Sequence, residues 1–94
     1  MIVVVGEQSA FLAYIEGPSK IRLDREATYT LIGTEEIIGD VSYSLSETNL
    51  ASLTVKNNVC TIKANDKNIL GEFELIATYN GTNYTKLIQV IPLW

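Results

Sequence analysis

Between Gly71 and Ile91 the chain reads as two extended arms around Asn80-Gly81, and this stretch limits the fold more than any other. Asn-Gly is the two-residue signal for a type I′ turn, whose twist matches that of paired antiparallel strands. On the first arm Phe73, Leu75, Ala77 and Tyr79 fall on one side, with Glu72, Glu74 and Thr78 on the other. That is the period of a half-buried strand. Pairing outward from the turn sets Ala77 opposite Tyr84 and Phe73 opposite Ile88, both sensible neighbours. It also sets Leu75 opposite Lys86, and the run 87–91 is apolar on both faces. A β-bulge on the second arm is one explanation. Pro92 stops the ladder.

The same period of two recurs upstream, with dense punctuation. Residues 10–16 form a β-prone run closed by Gly17-Pro18-Ser19, where Pro fixes φ and Gly supplies freedom. Ala27-Thr28-Tyr29-Thr30-Leu31 and Val41-Ser42-Tyr43-Ser44-Leu45 each alternate apolar or aromatic residues with hydroxyls. Residues 50–55 are a shorter strand candidate, followed by the polar turn Lys56-Asn57-Asn58. Next comes Val59–Ala64, with Cys60, Ile62 and Ala64 as the inward set. About seven strands at a spacing of roughly 8 to 12 residues predict an all-β sandwich or small barrel. Residues 32–38, which hold Glu35-Glu36, are expected to carry one short turn of helix. Ninety-four residues suffice for one domain. It is assigned to residues 10–94. Residues 1–9 read as an N-terminal segment, either a linker or a first strand, whose apolar Ile2-Val3-Val4-Val5 suits an edge strand or a neighbouring domain.

Composition narrows the chemistry. A hydrophobic share of 47% against 19% charged argues for a packed chain over a disordered one. The absence of histidine removes the commonest general acid–base and metal ligand. A single cysteine, Cys60, excludes an internal disulfide and a thiolate zinc cluster, and its inward position reads as a buried structural thiol. With eleven acidic and seven basic residues the net charge is −4. Lys20, Arg22 and Arg25 are the one basic grouping, interleaved with Asp24 and Glu26, so nucleic acid is not expected as a ligand. No stretch approaches the roughly 18 to 20 apolar residues of a spanning helix, and no membrane insertion is expected.

Each candidate site also has a plainer reading. Glu35, Glu36, Asp40 and Asp66 are hard oxygen donors suited to calcium, yet they lack the dense spacing of a calcium loop and read as solubilising surface carboxylates. Ser19-Lys20 is not organised by any nucleophile motif, and paired carboxylates would need a cleft that so small a core cannot spare. No catalytic residue, cofactor or metal is expected. Asn80-Gly81-Thr82 and Asn83-Tyr84-Thr85 fit the glycosylation pattern, but hairpins favour Asn and Thr in any case. Tyr14, Tyr84 and Trp94 are candidates for surface contacts, including stacking on sugars. The favoured alternative packs Tyr84 on Ala77 and lays Trp94 over one end of the sandwich. The loop at Glu35 and Glu36 completes the contact set.

Several of these runs carry a resemblance. They are Ile15-Glu16-Gly17-Pro18, Ala27-Thr28-Tyr29-Thr30-Leu31, Val41-Ser42-Tyr43-Ser44-Leu45-Ser46 and Ala51-Ser52-Leu53-Thr54-Val55, then Cys60-Thr61-Ile62-Lys63-Ala64 and Gly71 through Tyr79. Together they resemble a bacterial or bacteriophage immunoglobulin-like domain of the group 2 type, across nearly the whole chain. The resemblance implies an immunoglobulin-like β-sandwich of about seven strands ending in the Asn-Gly hairpin. It implies a non-enzymatic structural or interaction module, appended to a phage head or tail protein and located in the virion. Partners would be other virion proteins or host cell-surface glycans, bound weakly and multivalently. The alternatives are a spacer or adhesive domain of a bacterial cell-surface protein and a carbohydrate-binding accessory domain. Tyr43 stands where the family usually has tryptophan, which leaves a smaller core and a hydroxyl in need of a partner. The Pro92-Leu93-Trp94 ending reads as a natural C-terminus, in keeping with an appendage.

Overall fold

The computed structural model describes residues 11–93; the Ile2–Val5 run and Trp94 lie outside them. Eight strands follow in order: β1 (Ala13–Glu16), β2 (Lys20–Arg22), β3 (Glu26–Gly33), β4 (Ser42–Leu45), β5 (Ala51–Lys56), β6 (Val59–Ala64), β7 (Gly71–Tyr79) and β8 (Thr82–Ile91). They form two four-stranded sheets, ordered β1-β3-β6-β5 and β2-β8-β7-β4. This is the immunoglobulin-like arrangement, with the opening strand divided so that β1 joins one sheet and β2 the other. All pairs are antiparallel except β2 with β8.

The alternation read from the sequence points the inner faces together. Tyr29 and Leu31 of β3, Cys60, Ile62 and Ala64 of β6, Phe73, Leu75 and Ala77 of β7, and Ile88 and Val90 of β8 are all buried. No polar or charged residue is buried among the described residues. Each large side chain in such an interior contributes roughly 1.5–3 kcal/mol relative to exposure.

Both predicted hairpin turns are present. Asn80 and Gly81 have φ of 53° and 78°, and Asn57 and Asn58 have φ of 53° and 64°. Two successive left-handed residues define a type I′ turn, and Asn and Gly are the residues that tolerate it.

Two expectations are corrected. The β7–β8 ladder runs unbroken from Gly71↔Val90 to Tyr79↔Thr82, so Leu75 does face Lys86 without a bulge. Lys86 sits on the inner side of a strand whose far edge pairs with β2 only over Gln89–Ile91. An inward charge on an open edge deters pairing with other chains, which accounts for its place. The helical turn expected in residues 32–38 is absent: Ile32 and Gly33 finish β3, and an irregular loop follows. The described residues hold eight strands where about seven were expected, the short one being Lys20–Arg22, which pairs in parallel over three residues and leaves no periodic trace. Within the run 10–16, Ala13–Glu16 is the strand, and Phe11 and Leu12 precede it.

The bend between β1 and β2 depends on a close approach. A Cβ added at Gly17 would fall against Cδ2 of Tyr29 and 2.9 Å from the carbonyl oxygen of Thr28. Since Tyr29 is wholly buried, the ring has nowhere to go. Gly17→Ala is therefore expected to lower the unfolding free energy by about 1–3 kcal/mol, the cost of overpacking. Urea titration checks it; an unchanged midpoint would show that the ring yields.

Candidate functional site

The loop-bearing end of the sandwich is the best-defined surface, and tyrosine hydroxyls build it. A buried phenol ring adds apolar packing, but its hydroxyl needs a hydrogen-bond partner. Tyr79, at the end of β7, accepts a bond from the amide of Ile38 (2.9 Å) and donates to the carbonyl of the same residue (3.1 Å). That fixes the middle of the β3–β4 loop, where the sequence suggested helix. Phe11 packs on the Tyr79 ring, with centroids 5.6 Å apart.

Tyr43 answers the expectation raised by its hydroxyl. From β4 in one sheet it reaches across to the other, accepting from the amide of Leu31 (3.1 Å) and donating to the carbonyl of Asn58 (2.9 Å). The β3–β6 ladder ends at Thr30↔Val59, so Leu31 lies one step past it and gains a substitute acceptor. Asn58 extends the clamp. Its Oδ1 accepts from the amide of Val41 (3.0 Å), and its Nδ2 donates to the carbonyl of Gly39 (2.7 Å). The β5–β6 turn and the β3–β4 loop are thereby one unit. At the β1–β2 bend, Tyr29 donates to the carbonyl of Pro18 at 2.6 Å.

On this scaffold the contact candidates have clear positions. Tyr14 is 58% exposed on the outer face of β1, opposite Ile32. With Leu12, Ile32 and Gly33 it lines a shallow apolar depression of about 190 Å³. Glu35 and Glu36 are exposed just beyond β3, in the loop that Thr34 joins to the carbonyl of Leu12 (2.8 Å). Tyr84 is turned the other way: it shares the inner face with Ile88 and Val90, half-buried opposite Ala77. Asp40 is exposed in the same loop as the two glutamates, whereas Asp66 lies in the β6–β7 loop. No group of three or more metal-ligating side chains occurs among the described residues.

The sequence reading missed Asn65, which organises the β6–β7 loop. Its Oδ1 accepts from the amides of Lys67 (2.9 Å) and Ile69 (3.0 Å), while its Nδ2 donates to the carbonyls of Leu50 (2.9 Å) and Ile69 (2.8 Å). The signal lay in Asn65-Asp66-Lys67-Asn68, since an Asx side chain commonly bonds its own backbone two residues on. An open cleft of about 360 Å³ lies beside it, with Ser52, Lys63 and Asp66 in its wall.

The buried titratable groups are held neutral. Burial pushes the Cys60 thiol from its ordinary value of 9.0 up to about 12. Tyr29 is raised by burial first and by Cys60 second. Tyr43 is also raised by burial, with the amide of Leu31 pulling the other way. A neutral, enclosed thiol is a poor nucleophile.

No known family model matches the chain, and no curated protein matches it. Among solved structures, a chimeric titin Z1Z2-Z1Z2 tandem functionalized with a GRGDS peptide from fibronectin is similar at a TM-score of 0.48 and 12% identity. The overlap covers 99% of this chain and 56% of that one, so the chain spans little more than half of the tandem.

Two outcomes follow from the hydroxyl clamps and the neutral groups. Tyr43→Phe keeps the ring but leaves the Leu31 amide and Asn58 carbonyl without their partner, at a cost of about 1–3 kcal/mol. Tyr14→Phe, at an exposed position, should leave denaturant stability unchanged. Raised folded-state values mean that the unfolded chain loses its protons first as pH rises. Stability is then complete below about pH 9 and falls progressively towards pH 12 as Cys60 resists ionisation only in the fold. Cys60→Ala should flatten that decline in a pH series of urea midpoints; an equal decline in both proteins would remove Cys60 as its source.

Proposed function

We propose that the chain is a non-enzymatic structural and interaction module of a phage virion protein, making weak, multivalent contacts to host-surface glycans or to other virion proteins. The observation that carries the reading is Tyr14: an exposed aromatic beside an apolar depression, on an end of the sandwich whose loops are fixed by Tyr79 and Asn58. A flat aromatic next to hydroxyl-bearing strands suits the face of a sugar ring, and a rigid loop set loses little entropy on contact. Thr28, Thr54 and Thr61 lie in register on that outer face of β3, β5 and β6. Glu35 and Glu36 add an acidic rim. The interior supports the non-catalytic side of the reading: it is filled by apolar side chains, and its titratable groups serve packing and loop anchoring.

The virion setting rests on the resemblance of the strand runs to bacterial and phage immunoglobulin-like domains. One small surface of this kind binds weakly alone, and repetition on a particle raises avidity by about 10²–10⁴. A bacterial surface protein using the module as a spacer or adhesive domain would exploit the same face, and Tyr14 equally suits a carbohydrate-binding accessory domain.

Particles displaying many copies should adhere to host cell-wall glycans while the monomer shows only marginal binding. Tyr14→Ala particles should lose most of that adhesion, with unchanged thermal unfolding. Adhesion equal for Tyr14→Ala and the parent would refute the part given to Tyr14, and no binding by either on a glycan array would remove glycans as the partner and leave contact with other virion proteins.

A further inference from the structure

The four sheet edges are not equally protected. β1, β2 and β4 are only four, three and four residues long, and short edges recruit other strands poorly. The open stretch of β8 carries the inward Lys86. β5 differs. It is six residues long, and Ala51, Leu53 and Val55 follow one another on its inner face with no charge between them.

The direction of its free backbone groups follows from the turn. Lys56 and Val59 flank the two-residue turn and exchange hydrogen bonds, so Lys56, Thr54 and Ser52 point their amides and carbonyls at β6. Leu50 agrees, since its carbonyl accepts from the amide of Asn65 beyond β6 (2.9 Å). Ala51, Leu53 and Val55 therefore aim theirs outward. Beside this edge lies a groove of about 420 Å³, open between β4 and β5 and lined by Tyr43, Leu45, Ala51 and Leu53. Val55 is 46% exposed at its end. An added strand there would gain backbone bonds from β5 and seat alternate apolar side chains in the groove.

The chain supplies one segment of that chemistry outside the described sandwich: Ile2-Val3-Val4-Val5, four uncharged residues of which all are β-branched. Its own β5 is nearly out of reach. β1 and β5 are the opposite edges of one sheet, and a position outside β5 is four strand spacings from β1, about 19 Å. Only five residues, 6–10, separate Val5 from Phe11. Those six steps span at most about 21 Å when fully extended, so only Val5 would arrive, and with the linker taut. A second copy meets no such limit.

We propose that Ile2–Val5 of one copy adds as a strand to the β5 edge of another, giving head-to-tail assembly. The contact joins two different surfaces, so it extends into rings or filaments rather than closing as a symmetric pair.

Sedimentation velocity of the full chain, from micromolar to millimolar, tests this with two variants. Val4→Lys places a charge in the donor run, which lies outside the described residues. Val55→Pro removes an outward amide from the acceptor edge and spares the β5–β6 ladder, as proline is tolerated there. The parent should form concentration-dependent species larger than dimers, and each variant alone should stay monomeric. An equimolar mixture should stop at dimers, because the Val55→Pro copy retains a donor and the Val4→Lys copy retains an acceptor. That complementation separates the docking from unspecific aggregation. A monomeric parent throughout, including one whose Ile2–Val5 amides are protected by its own chain, would overturn the proposal. So would undiminished assembly of Val4→Lys, which decides the matter alone if Val55→Pro does not fold.

Discussion

A phenol ring can enter an apolar interior only if its hydroxyl still finds a partner, and this sandwich places three tyrosines under that condition. Tyr29, Tyr43 and Tyr79 set their rings among the inner-face residues of the two sheets, and their hydroxyls emerge where the chain changes direction. Each hydroxyl then meets a backbone group at a bend, a loop or a ladder end: Pro18 at the β1–β2 bend, Leu31 and Asn58 past the end of the β3–β6 pairing, and Ile38 in the β3–β4 loop. Core packing and loop conformation are thus set by the same side chains. A change in either is felt in the other.

This coupling explains how a chain of this size carries a shaped surface at all. A domain of about 100 residues buries roughly 60–70% of the surface its unfolded chain exposes, less than a larger domain does, and loops that float would add entropy without adding contacts. Here the β3–β4 loop is held from two directions, by Tyr79 and by Asn58, so Glu35 and Glu36 sit on fixed backbone. Tyr14 gains its position differently, from β1 pairing that sets it against Ile32 on the outer face. The proposed contact surface rests on ordinary strand register at one point and on phenol anchoring at the other.

The strands were legible because their signals are local. Alternation fixed the inner sets of β3, β4, β6 and β7, and Asn80-Gly81 set the register of the last hairpin down to Leu75 against Lys86. In the sequence alone that pair looks like a flaw in the ladder; in the fold it is a charge on the stretch of β8 beyond its pairing with β2, visible only once the edge itself is known. β2 was hidden since three residues in parallel pairing show no period. The anchors of the loops were hidden for a different reason. Asn58 and Tyr79 act over 17 to 41 residues of separation, and nothing local marks Ile38 or Gly39 as their targets. Tyr43 was the partial exception, because an aromatic carrying a hydroxyl at a core position announces that a partner must exist without naming it.

The amides of Leu31, Ile38 and Val41 test the coupling most directly, as each donates to a side chain and to no strand. Native-state hydrogen exchange followed by NMR should find all three protected, opening together with the β3 and β7 core amides. Exchange of these three at the rate of free loop amides, while the strands remain protected, would contradict the account.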